Sequence, residues 1–159
     1  RAATAFGLEV LVSERPGGTA EGPPPAEVGR LPFDRVLAEA DILSLHCPLT
    51  DATHGLVNAA ALERMKTDAL LINTARGALV DSAALADALR AGRIGGAGID
   101  VLPQEPPVDG DPLLDPDIPN LIITPHVAWA ARESRQRALD EIAANIHSFL
   151  EGGRRGRVI

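Results

Sequence analysis

Three runs of the chain each set one chemically capable side chain just past an apolar stretch. INTARGALVD (72–81) carries Arg76, GIDVLPQEPP (98–107) carries Glu105, and ITPHVAWA (123–130) carries His126. An imidazole changes charge near neutral pH, so it can give or take a proton under working conditions. A carboxylate beside an imidazole favours the charged ring. A guanidinium grips a carboxylate with two parallel hydrogen bonds, where a lysine offers only a point charge. Strand-end Arg, Glu and His also form structural ion pairs, so each of the three has that alternative when taken singly.

Positioning such groups requires a rigid scaffold, and the hydrophobic pattern supplies one. Arg1 to Phe6 reads as the tail of an alanine-rich helix stopped at Gly7. Leu8 to Ser13 (LEVLVS) reads as a buried parallel strand, which leaves Glu14 at its carboxyl end. The dense glycines and prolines of Pro16 to Pro25 forbid regular structure, and a short helix with Phe33, Val36 and Leu37 inward follows Pro32. Asp41 to His46 is the next strand. A helix capped by Asn58, with Leu62 and Met65 on one face, leads to the strand Ala69 to Asn73.

Asp81 or Ser82 can cap a further helix, with Leu85 and Leu89 inward and its end near Gly92. The strand Gly98 to Leu102 comes next, then a proline-rich connection over Pro103 to Pro119 and a last strand, Leu121 to Thr124. A long helix follows, with Leu139, Ile142, Ile146, Phe149 and Leu150 at helical spacing. Strands alternating with helices imply an α/β fold with a doubly wound parallel sheet, whose ligands bind beyond the strands' carboxyl ends.

Composition removes several functions. The 159 residues are 45% hydrophobic with a formal net charge of -7, enough for one sizeable core. No basic run offers a footprint for nucleic acid or an anionic membrane. No apolar stretch approaches membrane-spanning length and no signal peptide opens the chain, so the expected location is cytoplasmic. Cys47 is the single cysteine, which excludes an internal disulfide and suits a reducing compartment. It also lacks the neighbours of a nucleophile motif. No C-x-x-C or H-E-x-x-H pattern is present, and no metal is expected.

The three runs, together with HCPLTDATHGLVN (46–58) and VLVSERPG (10–17), resemble the D-isomer-specific 2-hydroxyacid dehydrogenases in order and over nearly the whole chain. The resemblance implies that Arg76, Glu105 and His126 form the catalytic group. His126 would be the proton donor to a 2-keto acid, Glu105 the carboxylate that keeps it charged, and Arg76 the clamp on the substrate's carboxylate. It implies a Rossmann-type NAD-binding domain over 1–130, without its first strand and glycine-rich turn. A helix and tail over 131–159 would return toward a substrate domain. Such a piece alone is expected to be inactive, and the full-length protein to be a homodimer.

Cofactor contacts also follow from the resemblance. Glu14 would accept from the adenosine ribose hydroxyls, which favours NAD over NADP, although Arg15 beside it could take a 2′-phosphate. Cys47 and Pro48 would border the adenosine side, with Thr53 close by. Thr74, Ala75 and Arg76 would line the nicotinamide, Asp100 would bind its carboxamide, and His126 and Ala128 would complete the contacts. Trp129 either narrows the substrate pocket or packs in the core.

The wording HCPLT, TPHVAWAARES and EPP is similar to the family's branch that acts on D-glycerate and hydroxypyruvate, with glyoxylate as a second substrate. Phosphoglycerate- and lactate-type dehydrogenases are alternatives, as is an NAD-sensing binding protein built on the same domain.

Overall fold

The computed structural model describes residues 2–14 and 29–156. Arg15 and the loop read over Pro16 to Pro25 lie outside them. The chain divides into two compact units, Arg1–Pro125 and His126–Ile159, whereas the sequence reading puts its division after Ala130.

The first unit opens with α1 (Ala2–Ala5), after which the chain turns at Gly7 with a positive φ. β1 (Val12–Ser13) pairs in parallel with β2 (Arg30–Leu31), and α2 (Phe33–Glu39) follows. The main sheet then assembles in chain order. β3 (Ile42–Leu45), α3 (Ala59–Leu62), β4 (Leu70–Asn73), α4 (Ser82–Arg90), β5 (Gly96–Ile99) and β6 (Leu121–Ile123) give four parallel strands ordered β3-β4-β5-β6.

Strands that step in one direction through right-handed crossovers place their helices on one face of the sheet. Burial follows that rule. Leu43 and Leu45 of β3, Leu71 of β4, and Ala97 and Ile99 of β5 share a core with Leu62 of α3 and Leu85 and Leu89 of α4. On the other face Ile42 lies in register with Leu70, and Ile72 with Gly98 and Ile122. Ile42, Leu70 and Ile122 are exposed there.

Local chemistry sets the helix starts. Asn58 accepts a hydrogen bond from the Ala61 N–H at the head of α3, and Asp81 accepts from Ala83 and Ala84 at the head of α4. Each satisfies N–H groups that have no partner within the helix. Fully buried Leu71, Leu79 and Leu85 anchor β4, the turn after it and α4. Truncating any of them to alanine costs about 2–5 kcal/mol.

Two strands differ from expectation. Only Val12 and Ser13 of the LEVLVS run enter a ladder, and Leu8 and Val10 are exposed. Among the described residues the β1–β2 pair is separate from the four-stranded sheet, and β2 is the one ladder neighbour of β1. β5 begins at Gly96, two residues before the expected Gly98. A Cβ on Gly95 would stand 2.5 Å from the Asp68 carbonyl oxygen, and one on Gly96 2.9 Å from that of Asn120. These glycines are where neighbouring backbone passes close, not where the strand breaks. The Pro103 to Pro119 connection also contains a 3-10 turn, Pro112–Leu114, capped by Asp111.

The second unit is mainly α5 (Arg132–Leu150). Leu139, Ile142, Ile146, Phe149 and Leu150 keep the expected spacing, and all are exposed. Among the described residues no helix is long and apolar enough to cross a membrane.

Candidate active site

Parallel strands that start together also end together, so the loops leaving β3, β4, β5 and β6 gather at one edge of the sheet. Two ladder bonds run past the strand ends into these loops. The Asp100 N–H donates to the Asn73 carbonyl at 2.9 Å, and the Thr124 N–H donates to the Ile99 carbonyl at 3.0 Å.

Asn73 organises the loop after β4. Its side chain is 1% exposed. Its Nδ2 donates to the Arg76 carbonyl at 2.9 Å, and its Oδ1 accepts from the Ala75 N–H at 3.0 Å. One buried amide thus fixes the backbone of Thr74, Ala75 and Arg76 from both ends, which meets the demand that buried polar groups be paired. The Arg76 side chain is exposed, and its Nη1 donates to the Ala75 carbonyl. The sequence reading gave Asn73 no role. The available signal was a polar amide closing an apolar strand directly before the motif's arginine.

Asp100 directly follows β5, at 4% exposure, and accepts from the Thr124 hydroxyl. A few residues on, Glu105 Oε1 accepts from the Leu102 N–H at 2.8 Å, which folds the exposed Glu105 side chain back on its own loop. Arg76, Asp100 and Glu105 therefore leave the same ends of two adjacent strands, β4 and β5, and the first unit contains all three.

His126 is the first residue of the second unit. It is exposed, with φ +53°, and the next turn is closed by the Ala130 N–H donating to the Val127 carbonyl at 2.8 Å. Ala128 is exposed in that turn. Trp129 is 60% exposed.

The adenosine-side candidates are spread along the first unit. Cys47 is half-buried against the core, and Pro48 is exposed. Thr53 is buried and serves its own loop: its hydroxyl donates to the Pro48 carbonyl and accepts from the Thr50 N–H, each at 2.8 Å. Glu14 is exposed, and its N–H donates to the Leu31 carbonyl. It borders an open groove of about 660 Å³ with Phe33, Asp34, His54, Asn58 and Arg64. Arg76, Asp100 and Glu105 are not among the residues that line that groove.

The donor set suits a nicotinamide dinucleotide. A buried carboxylate at a strand end can accept from an amide, small residues beside it let a flat ring approach, and a carboxylate after β1 can accept from vicinal hydroxyls. The class defined by fold and site is a Rossmann-type dinucleotide-binding domain.

Residues 1–128 match the family model of the D-isomer specific 2-hydroxyacid dehydrogenase, NAD binding domain. The chain belongs to that family. It is 51% identical over 124 residues to the glycerate dehydrogenase of Methylorubrum extorquens, covering 78% of this chain and 40% of that one. It is 41% identical over 120 residues to the hydroxypyruvate reductase of Blautia hydrogenotrophica, covering 76% and 37%. The crystal structure of D-lactate dehydrogenase with NAD+ from Lactobacillus jensenii superposes with a TM-score of 0.80 at 34% identity, covering 98% and 49%. The chain spans less than half the length of these relatives.

Proposed function

We propose that the complete protein is an NAD-dependent D-2-hydroxyacid dehydrogenase that interconverts a small 2-keto acid and its D-2-hydroxy acid. Residues 1–130 supply the cofactor-binding part, and 131–159 run toward a substrate domain. The observation that carries the reading is the pair of strand-end loops after β4 and β5, one fixing Arg76 through Asn73 and the other holding Glu105 beyond buried Asp100.

NADH, when bound, supplies a hydride to the carbonyl carbon. Arg76 holds the substrate's carboxylate and leans on its carbonyl oxygen. His126 gives that oxygen a proton, so the keto acid gains one hydride and one proton. Glu105 is the carboxylate of the catalytic group. Asp100 takes the carboxamide, and Thr74, Ala75 and Ala128 border the ring. Glu14, Cys47, Pro48 and Thr53 serve the adenosine end, with Glu14 setting the preference for NAD. Trp129 narrows the room left for the substrate's side chain.

D-Glycerate with hydroxypyruvate, or glyoxylate, is the preferred substrate pair, in keeping with the glycerate dehydrogenase and hydroxypyruvate reductase relatives. A lactate-type specificity is the second reading, favoured by the fit to the D-lactate dehydrogenase fold. The protein acts in the cytoplasm as a homodimer. The test expresses the complete reading frame and follows NADH and NADPH oxidation with hydroxypyruvate, glyoxylate, pyruvate and 3-phosphohydroxypyruvate. Hydroxypyruvate with NADH should be fastest, and His126→Gln should lower kcat at least a hundredfold. Undiminished turnover in that variant removes His126 from the reaction.

A further inference from the structure

The indole Nε1 of Trp129 donates to the carbonyl oxygen of His126 at 2.8 Å. His126 stands at φ +53°, a region that among the non-glycine described residues only Asn120 shares. A side chain with a β-carbon is disfavoured there about tenfold or more against right-handed backbone. The surroundings must therefore hold the residue in place. On one side, Thr124 is tied by its N–H to Ile99 and by its hydroxyl to Asp100. On the other, the Val127–Ala130 turn closes, and the indole reaches back across it to His126.

A tryptophan that is 60% exposed gains little from burial. What distinguishes it from any other large apolar side chain is its ring N–H donor, and that donor is committed to the backbone of His126. We propose that Trp129 is a positioning residue: its indole N–H locks the His126 carbonyl and so holds the left-handed backbone from which the imidazole is presented. This deepens the reading of His126 as the proton donor and rests on it.

Trp129→Phe keeps an aromatic ring at the position but deletes the ring N–H donor and some of the ring's bulk. In the complete enzyme, with hydroxypyruvate and NADH, we expect kcat to fall about five- to tenfold, as loss of one neutral hydrogen bond implies. The KM for NADH should stay within about twofold, since the substitution leaves the residues of the cofactor end untouched. The same substitution is then made in a His126→Gln background, where it should have no further effect, because a residue that acts through another loses its influence when that other is gone.

An unchanged kcat in Trp129→Phe overturns the proposal. So does an equal fold-loss in both backgrounds, which would make Trp129 independent of His126. If His126→Gln itself turns over at the wild-type rate, the acid assignment fails, and that result is separate from any effect of Trp129. Thermal melts and NADH affinity equal to wild type establish that each variant is folded; a Trp129→Phe protein that loses NADH affinity along with kcat counts against positioning.

Discussion

A methyl group on Gly77 would stand 1.9 Å from the carbonyl carbon of Leu102, so the turn after Arg76 and the loop that carries Glu105 run backbone against backbone. Neither side of that contact is a flexible side chain that could swing away. Gly77→Ala must therefore push the two loops apart. We expect a loss of about 2–4 kcal/mol in chemical denaturation, with a larger loss of activity than stability alone explains. A variant as stable as wild type would mean that the two loops are not locked together.

Glu105→Gln isolates charge from shape. The amide oxygen of glutamine can still accept from the Leu102 N–H that now meets Glu105 Oε1, so the loop should keep its fold and its melting temperature. Under the proposed function, only the negative charge of the catalytic group is lost. Reduction of the keto acid should then fall about a hundredfold. An undiminished rate would assign Glu105 a structural role.

The caps of α3 and α4 make a matched pair. Asp81 accepts from two N–H groups and Asn58 from one. Asp81→Ala should cost about 1–2 kcal/mol and Asn58→Ala about 1 kcal/mol or less by urea denaturation. The reverse order would show that cap occupancy does not set the starts of these helices.

Asp115 makes a prediction about pH. Its carboxylate accepts from the Asp117 N–H and from the Arg90 guanidinium, and these hold its pKa below the ordinary 3.8, the backbone hydrogen bond first and Arg90 next. A pKa depressed by folding stabilises above the unfolded value and loses that contribution as pH falls through the folded one. Asp115→Asn should therefore melt below wild type at neutral pH, and the gap should close as pH drops below 3.8. Lys66 is the mirror case. Its hydrogen bond to Asp41 raises its pKa above 10.5, so its contribution is present below that value and fades as alkali takes the proton. A gap for Asp115→Asn that widens in acid would contradict the assignment.

The reading of residue types succeeded where local chemistry decides. Asn58 and Asp81 are caps because of what their side chains accept, and Leu85 and Leu89 face inward because of their spacing. It failed where neighbours decide. β5 starts at Gly96, ahead of the expected Gly98, because Gly95 and Gly96 sit where the backbones of Asp68 and Asn120 pass close. Leu8 and Val10 are apolar enough for a core, but among the described residues no second strand pairs beside them, and both are exposed. The Arg, Glu and His types and their motif spacing stood in the chain. The amide of Asn73 under Arg76, the positive φ of His126 and the indole behind it depend on three-dimensional closure, which no periodicity encodes.

The one-sided winding of the sheet also governs how the chain behaves in a flask. Ile42, Leu70 and Ile122 are exposed apolar side chains on the sheet face opposite α3 and α4. Sulfate strengthens the tendency of such a surface to leave water. Expressed alone, the chain should salt out early, stick to phenyl resin and brighten a dye that senses apolar surface while its far-ultraviolet spectrum still reports native helix. Its solubility will be limited by the bare side of a folded sheet and not by unfolding.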